Sequence, residues 1–97
     1  MSFNFSSEQV KSASHCLKIL GNPVRLKIVS LLANKSQTVM ELADTVSIPH
    51  NVACEHLRLL QHCNFLSSTR EGRQVRYHLK DKHIFDLLKC IKNRFKK

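Results

Sequence analysis

The chain has 97 residues, enough for one domain with one modest core, and its 42% apolar composition can fill that core. Sixteen Lys and Arg against seven Asp and Glu give a formal charge of +9, more than solubility asks for and attractive to a polyanion. No apolar run approaches the roughly 18 residues of a membrane span, and the opening "MSFNFSSEQV" lacks a basic segment followed by an apolar one, so a cytoplasmic, membrane-free protein is expected.

Residues 7–20 read as a first helix, with Val10, Ala13, Leu17 and Leu20 on one apolar stripe. The "GNP" that follows ends it. Asn22 can cap a second helix whose first residue is Pro23, where a missing N–H costs nothing, and whose buried face is Val24, Ile28, Leu31 and Leu32, with a stop near Asn34. Thr38 to Val46 reads as a short third helix, and Ser47, Ile48 and Pro49 link it to a fourth over about 50–62. On that fourth helix Ala53, Leu57 and Leu60 fall on the core side, whereas Asn51, Glu55, Arg58 and His62 point the opposite way. Two short helices joined by a tight turn, the second with a polar outer face, make a helix-turn-helix over about 38–62.

Phe65 to Thr69 and Gln74 to Leu79 then read as a hairpin over 65–79, turning at Glu71 and Gly72. A final helix runs over about 82–95, with Asp81 as its cap and Ile84, Leu87, Leu88, Ile91 and Phe95 on one stripe. The expected fold is mainly α with a small β-hairpin, a winged helix-turn-helix in a single domain spanning 1–97. It explains the three arginines gathered around Gly72: Arg70, Arg73 and Arg76, with Gln74, sit on or beside a wing that can reach the phosphates or minor groove next to the recognition helix. The expected partner is double-stranded DNA.

Three stretches, "LKILGNPVRLKIVSLL", "MELADTVSIPHNVACEHLRLLQHCNFL" and "REGRQVRYHL", resemble the ArsR/SmtB family of small winged-helix repressors over roughly residues 15–85. The resemblance implies a homodimer built on the first and last helices, bound to a palindromic operator and released by an inducer, often a metal ion or a thiol-reactive species. Two surplus apolar stripes at opposite ends of a small chain agree with such a dimer. The family's recognition-helix contacts fall on His50, Asn51, Val52, Cys54, Glu55 and His56, with Arg58 near the backbone. Family members commonly begin this helix with small polar residues, whereas Pro49 and His50 stand here, so the operator sequence does not transfer.

The resemblance does not carry a metal site. The family's third-helix site needs a Cys where this chain has Thr38. Its last-helix site is half preserved, in Asp81 and His83, but Arg94 and Lys97 occupy the other half, and two cations repel a divalent ion. Ser30 stands where the family's persulfide sensors carry a second-helix Cys. No metal and no cofactor is therefore expected. Four cysteines without a C-x-x-C pair are expected as free thiols. Cys54 lies on the flank of the core as a half-buried thiol, and Cys16 and Cys90, on the edges of the two dimer stripes, are the candidate thiol sensor for a metalloid, soft metal or oxidant.

Catalysis is not expected, since the chain shows no Gly-rich phosphate loop, no carboxylate pair and no base beside a nucleophile. The other reading left open is a winged-helix module for protein contact or RNA, without inducer sensing.

Overall fold

The structure, a computed structural model, describes residues 3–96. Its elements are α1 (Ser7–Leu20), α2 (Pro23–Leu32), β1 (Gln37–Thr38), α3 (Val39–Val46), α4 (His50–His62), β2 (Leu66–Glu71), β3 (Gln74–Leu79) and α5 (Lys82–Arg94).

Local chemistry sets most of these boundaries. Ser6 and Gln9 form a capping box at α1, the Ser6 hydroxyl accepting from the Gln9 N–H at 3.1 Å and Gln9 Oε1 accepting from the Ser6 N–H at 2.8 Å. Asn22 Oδ1 accepts from the N–H groups of Val24 and Arg25 at 2.9 and 3.1 Å, with Pro23 in the first helical position where it has no N–H to satisfy. Thr38 and Glu41 repeat the capping box at α3. The two left-handed residues outside glycine, Ser47 (φ 58°) and Asn64 (φ 63°), end α3 and α4. In each case the next N–H reaches back to a carbonyl near the helix end, Ile48 to Ala43 and Phe65 to Leu60, at 3.1 and 3.0 Å, which is a Schellman closure.

The sheet has three strands rather than the two of a bare hairpin. Its order is β1-β3-β2, all antiparallel, with Gln37 opposite Tyr77 and Thr38 opposite Arg76. The added strand is two residues long and polar, so it carries no alternation to be read in advance, yet both residues are buried. Pairing of Glu71 with Gln74 also moves the turn to Gly72 and Arg73, one residue beyond the expected place. Gly72 has φ +61°, and Arg73 does not share it, the pattern of a type II′ hairpin turn that needs glycine first.

The core lies between α2, α3, α4 and the sheet. Ile28, Val29, Leu42, Ala53, Leu57, Leu60 and Leu66 are buried to 1% exposure or less. On α2, Val29 takes the buried place expected for Val24 and Leu31, which are half-buried, and the helix ends at Leu32. The terminal helices contribute little to this core. Of the α1 stripe only Leu20 is buried, Val10 and Leu17 standing 52% and 56% exposed, and α5 buries no residue at all. Phe85 and Phe95 add 41% and 76% exposed aromatic surface on or just beyond α5. This much uncovered apolar surface on two elements is the mark of faces that meet another surface.

Candidate nucleic-acid interface

α3 and α4 meet through Ser47, Ile48 and Pro49, and the buried row Ala53, Leu57 and Leu60 presses α4 onto the core by one side only. The opposite side is then solvent-facing by helical geometry: Asn51, Glu55, Arg58 and His62 are all exposed, as is His50 at the helix start. This face offers an amide, a guanidinium and imidazoles as donors and one carboxylate as acceptor, the groups that can pair with base edges in a major groove. Gln61 fixes the helix against the wing by donating from Nε2 to Ser68 Oγ on β2 at 3.1 Å.

The flanks of α4 are occupied differently. Val52 is half-buried. His56 turns toward α2, where Arg25 Nη1 donates to its Nδ1 at 3.3 Å; a guanidinium only donates, so that nitrogen must be the bare acceptor of a neutral ring. Arg25 Nε also donates to the Ile19 carbonyl at 2.7 Å, so one side chain braces the end of α1, the start of α2 and the flank of α4. Arg25 is the arginine of the "NPVR" run, and that signal marks a brace rather than a DNA contact.

Burial, and secondarily the Arg25 charge, hold the His56 imidazole below the ordinary 6.5, Glu55 opposing them weakly. The unfolded chain therefore takes up this proton first. Stability should be level above pH 6.5 and decline as pH falls from there toward the folded-state value. In an NMR titration the His56 ring should give a midpoint below 6.5; a midpoint at or above it would show that the Arg25 contact is not held in solution.

On the wing, Arg70, Arg73 and Gln74 are exposed around Gly72, and neither Arg70 nor Arg73 has an ion pair among the described residues. Arg76 is spent differently. Its Nε donates to both Glu71 carboxylate oxygens at 3.1 and 3.0 Å, and its Nη1 donates to the Ser36 carbonyl at 3.2 Å and lies 3.9 Å from Glu41. Arg76 thus ties the wing to the segment that enters β1 and α3, a role set by sheet register. Glu41 in turn is held below the usual carboxylate range, first by the backbone and side chain of Thr38 and then by Arg76 and Lys35.

The other ligand-bearing residues stand apart. Asp81 caps α5, accepting from the Ile84 N–H at 3.3 Å, and His83 and Arg94 are exposed, whereas Lys97 lies outside the described residues. No group of three or more His, Cys, Asp or Glu side chains among the described residues is arranged to hold a metal ion. Cys16 on α1 and Cys63 at the end of α4 are each half-buried against the core, while Cys90 is exposed on α5. Cys54 Sγ is 3.7 Å from His50 Nδ1, a His-x-x-x-Cys spacing on one helix. No helix among the described residues is long and apolar enough to cross a membrane.

The comparisons agree with this geometry. A family model described as a helix-turn-helix domain matches residues 20–68, from the end of α1 into β2. The HTH-type transcriptional repressor SmtB of Mycobacterium tuberculosis is 34% identical over 77 residues, covering 79% of this chain and 57% of that protein, so the chain spans a little over half of that relative. An HTH-type transcriptional regulator of Methanocaldococcus jannaschii is 28% identical over 85 residues, 87% of this chain and 96% of its own length. Among solved structures, NolR from Sinorhizobium fredii superposes with a TM-score of 0.83 at 23% identity, 97% of each chain being covered. The homodimeric winged helix-turn-helix DNA-binding domain of Mb0332 from Mycobacterium bovis does so with a TM-score of 0.85 at 21% identity, over 97% of this chain and 89% of that one. An exposed polar face on α4, a wing beside it, and these likenesses in sequence and fold together assign the chain to the ArsR/SmtB family of winged helix-turn-helix regulators.

Proposed function

We propose that this protein is a homodimeric transcriptional repressor that binds a palindromic site in double-stranded DNA and is released from it by an inducer. Residues 38–62 are the reading unit, 65–79 the wing, and 7–20 with 82–95 the dimer contact. The observation that carries this reading is the juxtaposition of the exposed α4 face with a wing whose tip arginines, Arg70 and Arg73, are unpaired among the described residues. His50, Asn51, Glu55 and Arg58 face the bases or the adjoining backbone, Val52 offers an apolar contact at the groove edge, and Arg70, Arg73 and Gln74 address the phosphates. His56 and Arg76, engaged with Arg25 and Glu71, support the surface rather than read DNA.

Dimerisation follows from the apolar surface that α1 and α5 leave uncovered, and two-fold symmetry in the protein demands two-fold symmetry in its site. The relatives called repressors support the direction of control. Selection from a randomised duplex pool tests the proposal: the protein should enrich a dyad-symmetric sequence, with affinity falling steeply as salt rises. Failure to enrich any duplex, together with tight binding to RNA or to protein alone, would replace the reading with that of an interaction module.

A further inference from the structure

The helix that faces DNA is seated unlike its neighbours. Pro49, at the start of α4, makes no side-chain cap, whereas Ser6, Asn22, Thr38 and Asp81 each cap their own helix. Among the described residues two side-chain hydrogen bonds tie α4 to other elements: Gln61 to Ser68 in its last turn, and His56 to Arg25 at its middle. The second goes further, because Arg25 Nε also donates to the Ile19 carbonyl in the last turn of α1 at 2.7 Å.

Helical phase puts Arg25 in this place. It stands three and four residues before Ile28 and Val29, both fully buried, so it leaves α2 on the side that packs inward. Its guanidinium is a flat fork whose donors point in fixed directions. Holding the Ile19 carbonyl and His56 Nδ1 at once therefore fixes how α4 is rotated against the ends of α1 and α2.

We propose that Arg25 is a positioning residue for DNA reading, holding α4 at the rotation that turns Asn51, Glu55 and Arg58 outward, and that a proton taken up by His56 releases this hold and weakens DNA binding. The proposal rests on the function assigned above. With Nδ1 bare, the neutral ring carries its proton on Nε2. A second proton, drawn from solvent onto Nδ1, removes the lone pair that accepts from Arg25 and sets two cations 3.3 Å apart, an arrangement that opens. The charges facing the ring are Arg25 from α2, which opposes the proton, and Glu55 on α4 itself, which weakly favours it; α1, α3 and β2 also pack on α4 and set no charge against the ring among the described residues. Burial acts in the same direction as Arg25. The hold is thus complete above pH 6.5 and is lost as pH falls through the lower value of the folded chain.

His50 and His62 lie on the outward face, where a proton strengthens attraction to phosphate, so the test has to isolate His56. Affinity of the full chain for its selected duplex is measured from pH 7.5 to 5.5 at constant salt, for the parent and for His56→Asn, whose amide oxygen accepts from Arg25 and does not titrate. As pH falls, the parent should lose affinity relative to His56→Asn by up to about tenfold per reading helix, since pH 5.5 is one unit below the ordinary 6.5. Superimposable profiles, or a parent that gains on the variant, would overturn the release by protonation. Arg25→Lys keeps the charge and gives up the fork, so at pH 7.5 it should bind about tenfold more weakly, with faster amide exchange in α4. Parent-like binding by Arg25→Lys would show that the charge alone matters and would overturn the positioning role. If that variant does not fold, the comparison of the parent with His56→Asn still decides the proposal. A parent that selects no duplex would count against the functional reading instead, and a His56 ring whose NMR midpoint does not rise in Arg25→Ala would overturn the contact itself.

Discussion

With Leu17 and Phe85 both replaced by Asp, the protein should sediment as a monomer and lose specific DNA binding by about a thousandfold or more, retaining the weak salt-sensitive affinity of any basic chain. The size of the effect comes from geometry. A dimer seats two reading helices in successive major grooves one helical turn apart, and a monomer has to pay for each engagement separately. Leu17 is 56% and Phe85 41% exposed, so neither substitution hollows the core formed by Ile28, Leu42, Leu57 and Leu60, and the circular dichroism of the variant should match the parent. An unaltered dimer would mean that the uncovered faces of α1 and α5 serve another purpose.

The second large effect separates reading from holding. Asn51→Ala removes an amide from the exposed N-terminal end of the α4 face and should cost roughly 1–3 kcal/mol on the selected duplex, with relaxed preference at one base position. Arg73→Ala, at the tip of the wing, should weaken all duplexes alike and flatten the dependence of affinity on salt by about one unit of slope. Arg76→Ala should behave as neither. Its guanidinium holds Glu71 and the Ser36 carbonyl, so its loss should first loosen the wing, seen as faster amide exchange in β2 and β3. If Arg73→Ala changed base preference beneath α4, the roles of helix and wing would be exchanged.

What the residues announced in advance and what they concealed divide along a physical line. α4 is legible because Ala53, Leu57 and Leu60 recur at helical spacing, and one buried row fixes which residues face outward. Caps at Asn22 and Asp81 are legible because they act within three residues of themselves. β1 is not, since Gln37 and Thr38 become a strand only when β3 arrives beside them. The same holds for two side chains. Arg76 looks like a wing cation until register sets it beside Glu71, and His56 looks like a base contact until packing brings Arg25 to its ring. Each of these depends on contacts distant in the chain, about which spacing is silent.

The central claim, that two copies of this chain present paired α4 helices to one DNA duplex, is tested most directly by a hydroxyl-radical footprint on the selected duplex. The account predicts two protected patches related by a dyad and centred one helical turn apart, about 10 base pairs, with weaker flanking protection that disappears in Arg73→Ala. A single protected patch, or protection that follows no dyad, would contradict it.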